Sequence, residues 1–396
     1  MKILMVSSYL PFPLFSGGEI RLYNLIENLS EGNEITLICE KRNHQTQEDI
    51  EEVKKICKKV ITVPRKKQWS IKNILKTGFS TDAFLLTGHK SIEMRQAIKD
   101  ELVRESYDLI HIETFYVFQN LPKVSLPVVL TEHNVEYLVY KKYAELANPI
   151  IRPLLYIDIA KLKRKEEEAW KKVTKLVAVS NLEKKIMKRT DITVVPNGVD
   201  TQNFKFKNFQ DELKEKRILY IGNYKWIQNT DAVEFILKEN WPGVLARLEQ
   251  MNKKVNVKLW IVGKNMPRSF KSLVHDKNVI LDENNKEEAW QIFNKSDVLL
   301  APFRIAGGTS YKILEAMSSG VGIVTTNLGT VGLEAKANVH LLSSENSFDL
   351  SNQVCDLLTD HSLYRRLTLN ARKFVEDNYD WKRISKKLEE VYMSCF

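Results

Sequence analysis

The residues best suited to chemistry lie between positions 301 and 320, where the sequence reads APFRIAGGTSYKILEAMSSG. Two glycines and a Thr-Ser pair precede a run with helical spacing, and Lys312 and Glu315 stand three residues apart near its start. The N–H groups and dipole of a helix N-terminus, together with a lysine, favour an anion such as a phosphate. A carboxylate one turn further on can accept hydrogen bonds from a ribose diol. An ordinary capped helix with an internal Lys–Glu pair explains the same residues equally well.

Polar side chains also lie at the ends of two predicted strands in the first half of the chain. The segments LIHIETF and LTEHNVEY place His111, Glu113 and His133 at or just past these ends. Ligands of doubly wound sheets bind beyond the carboxyl ends of the strands. A histidine can act there as an acid, a base or a hydrogen-bond partner. Each residue alone is more often structural, but the three together favour a cleft.

Glycines follow two further predicted strands. Gly17 and Gly18 open a helix in PFPLFSGGEIR, where they let backbone N–H groups approach an anion or simply form a tight strand-to-helix turn. Gly263 follows the strand in LWIVGK. A glycine at this position can relieve backbone strain where the chain leaves the strand, or it can let a ligand approach the backbone closely. Both explanations fit comparably well.

Short apolar runs that alternate with amphipathic segments predict the elements that carry these residues. Continuous Val, Ile and Leu runs separated by helices are typical of parallel, doubly wound sheets. The predicted strands are KILMVSS, EITLICE, KKVITVP, DLIHIET, PVVLTEH and KLVAVS in the first half, and RILYIGN, VKLWIVGK, NVILD, VLLAPF and GIVTTN in the second.

A chain of 396 residues is too long for one ordinary core, so two domains are expected. The turn residues of VVPNGVD mark the boundary, which predicts one domain over 1–199 and another over 200–376. A terminal helix is predicted over 377–396. In this helix Trp381, Ile384, Leu388 and Tyr392 share a face.

The composition is that of a globular protein, and its basic balance suggests an anionic partner, although a solvated Lys-rich surface gives the same balance. The formal net charge is +10, which is compatible with a nucleic acid, a phosphorylated substrate or an anionic membrane face. Cysteines without CxxC pairing predict a reducing cytoplasm and make a structural zinc unlikely; they are Cys39, Cys57, Cys355 and Cys395. The first apolar run, ended by Pro11, is too short for a secretory signal. No other segment is long and apolar enough to span a bilayer.

Two charged segments have different interpretations, and only the first suggests membrane contact. Residues 65–79 mix Lys and Arg with large apolar side chains, a composition that suits an anionic bilayer surface. Apolar residues that face a core give the same pattern. Residues 138–175 form a charged helical stretch whose alternating signs predict exposed i,i+4 pairs. The expected location is therefore cytoplasmic, with a peripheral site at the inner membrane face as an alternative.

Taken together, these segments resemble the retaining glycosyltransferases of family 4, and the resemblance covers nearly the whole chain. VVPNGVD, followed about a hundred residues later by KILEAMSSG and GIVTTNLGTVGLE, is strongly specific for that family. The resemblance implies the GT-B fold, an α/β architecture of two Rossmann-like domains that face each other across a cleft. It also implies that the C-terminal helix crosses back to the N-terminal, acceptor-binding domain. The C-terminal domain would bind the nucleotide sugar.

The resemblance also implies roles for particular residues. Glu315 would hold the ribose hydroxyls, Lys312 would face the diphosphate, and His133 would lie beside the transferred sugar as the catalytic residue. The remaining donor-binding candidates are Gly17, Gly18, Gly222, Lys225, Gly263, Gly308, Thr309 and Ser310, and the acceptor-side candidates are Glu19, His111 and Glu113. No metal or other cofactor is expected. The partners implied are a nucleotide sugar, with UDP preferred to GDP, and a glycan or lipid-linked acceptor in cell-surface polysaccharide synthesis.

The sequence departs from the common family pattern at two places. Gly307 stands where relatives keep the first of two glutamates, and Asn223 and Gln228 replace the usual Arg and Lys. Both changes resemble a branch of the family that has a W-x-x-N segment after the strand and a GG-T-x-x-K loop before the helix. Lys225 and Lys312 are the candidates for neutralising the diphosphate in this chain.

The chemistry expected of such an enzyme is metal-independent hexosyl transfer with retention. No carboxylate is obviously placed for double displacement, so attack on the same face as the leaving phosphate is favoured. Three alternatives stay open at this point: a nucleotide-sugar 2-epimerase on the same architecture, an inactive transferase, and a nucleic-acid-binding protein. The last has no RRM, KH or helix-turn-helix signature, so no nucleic-acid partner is expected. The sequence does not indicate an oligomeric state.

Overall fold

The protein folds into two compact units of parallel α/β structure. The computed structural model describes residues 1–68, 70–78, 80–207, 215–305 and 309–396. One unit comprises Met1–Pro196 together with Ile384–Phe396, and the other comprises Asn197–Arg383.

The first unit is built on a parallel sheet. Its strands are β1 (Lys2–Ser7), β2 (Glu34–Lys41), β3 (Lys59–Pro64), β4 (Leu109–Glu113), β5 (Val128–Glu132), β6 (Lys175–Ala178) and β7 (Thr193–Val194). Its helices are α1 (Gly17–Leu29), α2 (Gln47–Lys54), α3 (Ile71–Gly78), α4 (Phe84–Thr87), α5 (Ile92–Arg104), α6 (Glu136–Leu146), α7 (Arg152–Lys172) and α8 (Asn181–Met187), with a 3-10 turn at Phe115–Asn120. The strand order is β3-β2-β1-β4-β5-β6-β7.

The second unit repeats this plan. Its strands are β8 (Lys216–Ile221), β9 (Val257–Val262), β10 (Val279–Asp282), β11 (Val298–Ala301), β12 (Gly322–Thr325) and β13 (Leu342–Ser343). Its helices are α9 (Ile227–Phe235), α10 (Trp241–Gln250), α11 (Ser269–Leu273), α12 (Ala289–Asn294), α13 (Tyr311–Ser319), α14 (Ser347–Thr359) and α15 (His361–Asn378), with a π-turn at Ile236–Asn240 and a 3-10 turn at Asn327–Thr330. The strand order is β10-β9-β8-β11-β12-β13.

The strands form where the sequence predicts them because apolar side chains alternate to both faces of a covered sheet. In β1, for example, Ile3, Leu4, Met5 and Val6 are all buried. Such two-sided burial is typical of parallel strands flanked by helices. All eleven predicted strands are confirmed. The two-residue strands β7 and β13 are additions to this prediction.

The charged stretch over 138–175 divides into two helices. Helix α6 ends at Leu146 and α7 begins at Arg152. Pro149 lies between them; a proline lacks the N–H that a continuing helix needs and disfavours helical backbone at the residue before it. The predicted i,i+4 pairs are confirmed in α7, where Lys163 meets Glu167 and Arg164 meets Glu168.

The last helix, α16, runs from Trp381 to Met393. The four residues predicted to share its apolar face are buried, as expected: Trp381, Ile384, Leu388 and Tyr392. The chain passes from the second unit into the first at the start of this helix. Among the described residues, no helix has the length and apolarity that a membrane crossing requires.

Candidate functional site

The second unit places its candidate residues where the strand order reverses. Strands β8 and β11 are neighbours in the sheet, although β9 and β10 lie between them in sequence. Val298 pairs with Ile218 and Leu299 with Leu219, so both strands end at the same edge. In open α/β sheets this switch point is the usual place for a ligand. The loops that follow β8 and β11 lead into α9 and α13.

Lys312, in the first turn of α13, is held at this edge by side chains from β8 and from the segments that follow β8 and β11. Its Nζ donates a hydrogen bond of 2.9 Å to Oδ1 of Asn229. It also lies 4.2 Å from the centre of the Tyr220 ring and 5.2 Å from that of Phe303. Burial lowers the pKa of Lys312 to about 7, although attraction to Glu315 works in the opposite direction. Lys312 is therefore a fixed amine that can take up or release a proton near neutrality.

Glu315 lies one turn further along α13 and has the complementary behaviour. Burial raises the pKa of its carboxyl to about 7, against the attraction of Lys312. A carboxyl close to half-ionised at neutral pH can accept hydrogen bonds from hydroxyls once its proton is lost. The helix thus presents one amine and one carboxylate, both with shifted pKa values, a combination that is frequent at functional sites.

Asn229 joins the two loops and was not singled out as a site residue from the sequence. Besides accepting from Lys312, its Oδ1 accepts a hydrogen bond of 2.8 Å from the hydroxyl of Tyr220. Its Nδ2 donates to the backbone oxygen of Asn223 at 2.8 Å. Asn229 is the last residue of the W-x-x-N segment and Lys312 the last of the GG-T-x-x-K loop. The sequence signal that could have identified Asn229 was therefore the occurrence of both motifs in one chain.

The glycines of this edge are explained by contacts within the protein. A Cβ on Gly222 would lie 2.9–3.1 Å from the amide group of Asn229. Gly263 has φ +142°, and a Cβ there would lie 1.8 Å from the backbone oxygen of Gly222. Both positions need glycine so that the ends of β8 and β9 and the side chain of Asn229 can pack together. Neither observation requires a ligand.

The remaining donor-side candidates of the second unit are Thr309, Ser310, Lys225 and Gly308. Thr309 and Ser310 are half-buried ahead of α13, and the Ser310 side chain makes no capping bond to the helix. Lys225 is exposed in the loop after β8. Gly308, and Gly307 beside it, lie outside the described residues, so their roles stay predictions. Arg304 is engaged elsewhere, through two hydrogen bonds of 3.0 and 2.6 Å to Asp231.

In the first unit, Glu113 is the centre of a buried charged cluster. Its Oε1 lies 2.6 Å from Nε2 of His133 and 3.2 Å from Nε of Arg21, and its Oε2 lies 3.0 Å from Nε2 of His111. Burial alone would raise the pKa of Glu113, but the charges and hydrogen bonds of His133, His111 and Arg21 together hold it well below its usual value. Glu113 is therefore a carboxylate at neutral pH.

Strand register explains why these residues meet. Glu113 pairs with Ser7 of β1 and with Thr131 of β5, so His133 follows the same edge two residues later. Thr114, directly after Glu113, has the left-handed φ of 75°. Such backbone outliers in non-glycine residues concentrate at functional sites. The sequence carried no signal for this conformation.

The members of this cluster differ in whether a ligand could touch them. The side chain of His133 is 19% exposed, whereas those of Glu113 and His111 are 1% exposed. His111 uses its Nδ1 for the hydroxyl of Tyr392 in α16 and its Nε2 for the hydroxyl of Thr131, at 2.8 Å. His133 is thus the accessible end of the cluster, and Glu113 orients its ring.

The three acceptor-side candidates are all buried. Glu19 is buried as well; it accepts a hydrogen bond of 3.0 Å from the N–H of Phe15 and lies 3.6 Å from Arg42. Glu19, His111 and Glu113 hold the loops and the last helix of the first unit in place, and their roles towards an acceptor stay predictions. Gly17 and Gly18 do open α1, and Tyr9 packs where a Cβ on Gly18 would lie, at 2.9 Å.

Comparisons with known proteins agree with this architecture. The family model described as Glycosyltransferase Family 4 matches residues 15–203, and the model described as Glycosyl transferases group 1 matches residues 215–360. A relative from Klebsiella pneumoniae, described as an uncharacterized 44.6 kDa protein in cps region, is 22% identical over 97% of both chains.

Solved structures are similar over the whole chain. A sucrose-phosphate synthase from Thermosynechococcus elongatus aligns with a TM-score of 0.69 at 14% identity, covering 100% of this chain and 99% of that one. The Anabaena protein HepE in complex with UDP-glucose aligns with a TM-score of 0.63 at 13% identity, covering 100% of both chains.

The fold and the matched families define the class. Two Rossmann-like units with parallel sheets, joined by a helix that returns to the first, constitute the GT-B fold. The chain is accordingly a glycosyltransferase of the GT-B type. Its first half matches glycosyltransferase family 4 and its second half matches the group 1 glycosyl transferases.

Proposed function

We propose that the protein transfers a hexose from a nucleotide diphosphate sugar to a glycan or lipid-linked acceptor in cell-surface polysaccharide synthesis. UDP-sugars are favoured over GDP-sugars. The HepE structure in complex with UDP-glucose supports that donor class, and the relative described as lying in a cps region is in keeping with polysaccharide synthesis. The observation that carries the proposal is the bond between Asn229 and Lys312 at the switch point, with Glu315 one turn away.

In this proposal α13 binds the donor. The carboxylate of Glu315 accepts hydrogen bonds from the two ribose hydroxyls. The ammonium of Lys312, which Asn229 aims, and the N–H groups around Thr309 and Ser310 face the diphosphate. Lys225 supplies a second positive charge from the loop after β8. These groups neutralise the leaving phosphate, which is why the reaction needs no metal.

The proposed reaction retains the anomeric configuration by attack on the same face as the leaving diphosphate. Glu113 is the carboxylate next to His133, yet it is fully buried and bonded to Arg21 and two histidines, so it is a poor nucleophile. His133 contacts the transferred sugar, and Glu113 fixes its orientation. Among the described residues, no group of His, Cys, Asp and Glu is arranged to hold a metal ion.

Thermal-shift measurements against a panel of nucleotide sugars test the donor site. A ligand that binds the folded state raises the melting temperature according to its affinity and concentration. We expect the largest shift with a UDP-sugar, and its loss in Glu315→Ala. Glu249→Ala, at an exposed site on α10, is the matched control and should keep the shift. No shift with any nucleotide sugar would count against the proposal.

The product tests the stereochemistry. NMR of the glycoside formed from an α-linked donor should show an α-linkage, and mass spectrometry should detect no glycosyl adduct during turnover. A covalent glycosyl–enzyme adduct on any side chain would exclude attack on the same face.

A further inference from the structure

The helices α6 and α7 form a hairpin whose base is anchored in the first unit. Glu166 accepts hydrogen bonds from the N–H groups of Glu136 and Tyr137, at 2.7 and 3.1 Å, which ties α7 to the first turn of α6. Asp158 accepts from the N–H of Phe84 at 2.9 Å, and Lys161 donates to the backbone oxygen of Thr77 at 2.7 Å. Residues from 158 onward are therefore fixed against α3 and α4.

The tip of this hairpin, in contrast to its anchored base, is exposed. None of the residues from Glu145 to Asp158, all of which the structure describes, is buried. This segment nevertheless carries several large aliphatic side chains; Leu146 is 89% exposed, Ile150 85% and Leu154 69%. We define the tip patch as Leu146, Ile150, Ile151, Leu154 and Ile157, all exposed. A cluster of exposed aliphatic side chains on one motif marks an interaction surface.

The spacing of these residues follows the helices. Leu146 lies three residues after Tyr143 and seven after Val139, two further exposed apolar residues of α6. On α7, Leu154 and Ile157 are three apart. Such spacing places the side chains of each helix along one stripe. Ile150 and Ile151 lie in the short connection between the helices, where they add two exposed apolar side chains to those of α6 and α7.

Charge identifies the partner. Residues 139–158, which end where the hairpin is anchored, contain three Lys and Arg and two Asp and Glu. One of the two acids, Asp158, is occupied by the N–H of Phe84. Two exposed basic residues of α6, Lys141 and Lys142, lie next to the apolar tip, whereas Lys163 and Arg164, in the anchored part of α7, pair with Glu167 and Glu168. Lysine is depleted at the cores of protein–protein interfaces, whereas aliphatic side chains flanked by Lys and Arg are typical of surfaces that enter an anionic bilayer.

We propose that the α6–α7 hairpin docks the protein on an anionic lipid bilayer, with the tip patch inserted among the acyl chains and the flanking lysines at the headgroups. This surface differs from the segment 65–79 that the sequence indicates, of which Trp69 and Phe79 lie outside the described residues. The hairpin's Lys161 bonds that neighbouring segment at Thr77. Docking requires neither donor nor acceptor, so its test is independent of sugar transfer.

Co-flotation of the full chain with vesicles tests the proposal. We expect flotation with phosphatidylcholine vesicles that contain phosphatidylglycerol, much weaker flotation with pure phosphatidylcholine, and loss of binding at high salt. The variant Leu146→Ser/Ile150→Ser/Leu154→Ser should bind about hundredfold more weakly, because three aliphatic insertions are lost. Lys141→Gln/Lys142→Gln should bind about 25-fold more weakly, at about fivefold per lysine.

A matched triple variant controls for a general loss of exposed apolar side chains. Ile92→Ser/Val103→Ser/Phe348→Ser removes residues that are equally exposed but lie outside the hairpin, and it should float like the wild type. Circular dichroism should show all variants folded, since each replaced side chain is exposed. Wild-type protein that does not float with anionic vesicles overturns the proposal, as does a tip variant that floats like the matched one. A wild-type dimer that the tip variant converts to monomers, without vesicle binding, would assign the patch to a second copy instead.

Discussion

The proposed donor site predicts a donor affinity that peaks near neutral pH, with one residue responsible for each side of the peak. Glu315 and Lys312 both have pKa values of about 7 in the free protein. The diphosphate of a nucleotide sugar is a diester that stays ionised over this whole range, so the ligand itself does not titrate. Below neutrality Glu315 gains a proton and loses an acceptor for the ribose. Above neutrality Lys312 loses the charge that faces the diphosphate.

The magnitude follows from the interactions at stake. A hydrogen bond to a charged group contributes about 1.5–3 kcal/mol, so losing one weakens binding about 10- to 150-fold. Since the ionised fraction of Glu315 falls about tenfold for each pH unit below its pKa, the affinity should fall with that slope until this limit is reached. The same limit applies to Lys312 on the alkaline side. The affinity maximum should therefore span about one pH unit around 7.

Calorimetry with UDP-glucose, from about pH 5 to about pH 9, measures both sides of this profile. Glu315→Gln should bind weakly and show no acid decline, because its amide does not titrate. Lys312→Met should show no alkaline decline. Glu249→Gln, at the exposed control site on α10, should reproduce the wild-type profile.

Two results would refute the reasoning. A wild-type affinity that is constant through neutral pH would mean that neither titrating group faces the donor. An acid decline that survives in Glu315→Gln would assign that decline to another group and remove Glu315 from the ribose site.

Two further predictions concern the packing of each unit. Gly222→Ala should destabilise the fold by about 1–3 kcal/mol through overpacking, since its Cβ would lie 2.9 Å from the Asn229 amide. Chemical denaturation should show a smaller loss of stability when Asn229→Ala is already present. Equal losses of stability in the two backgrounds would contradict the described contact. Glu113→Gln should cost about 3–5 kcal/mol at neutral pH, because it removes the buried carboxylate that Arg21 contacts. The pKa of Glu113 is lowered by folding, so its stabilisation is complete above the unfolded value near 4.5 and is lost as the pH falls towards the lower folded value. The stability difference between wild type and Glu113→Gln should accordingly shrink in acid, and a difference that stays constant there would exclude an ionised Glu113.

The sequence alone determined the local elements and the class of protein. Eleven strands could be predicted because each is a continuous apolar run, and two-sided burial requires such runs in a parallel sheet. The same holds for the buried face of α16, since helical spacing reports which side chains point to a core. Lys312 and Glu315 could be selected as candidates from the sequence, because both follow Gly307-Gly308 at helical spacing.

Only the tertiary structure decided what these residues contact. Asn229 and Lys312 are 83 residues apart, and they meet because β8 and β11 are adjacent in the sheet, a fact that periodicity does not encode. His111 and Glu113 looked alike in sequence to His133, yet strand direction and the return of α16 bury the first two and leave the third accessible. The exposed tip of the α6–α7 hairpin was hidden for the same reason. An apolar helical stripe has one pattern whether it meets a core or solvent, and only the position of the neighbouring elements distinguishes the two.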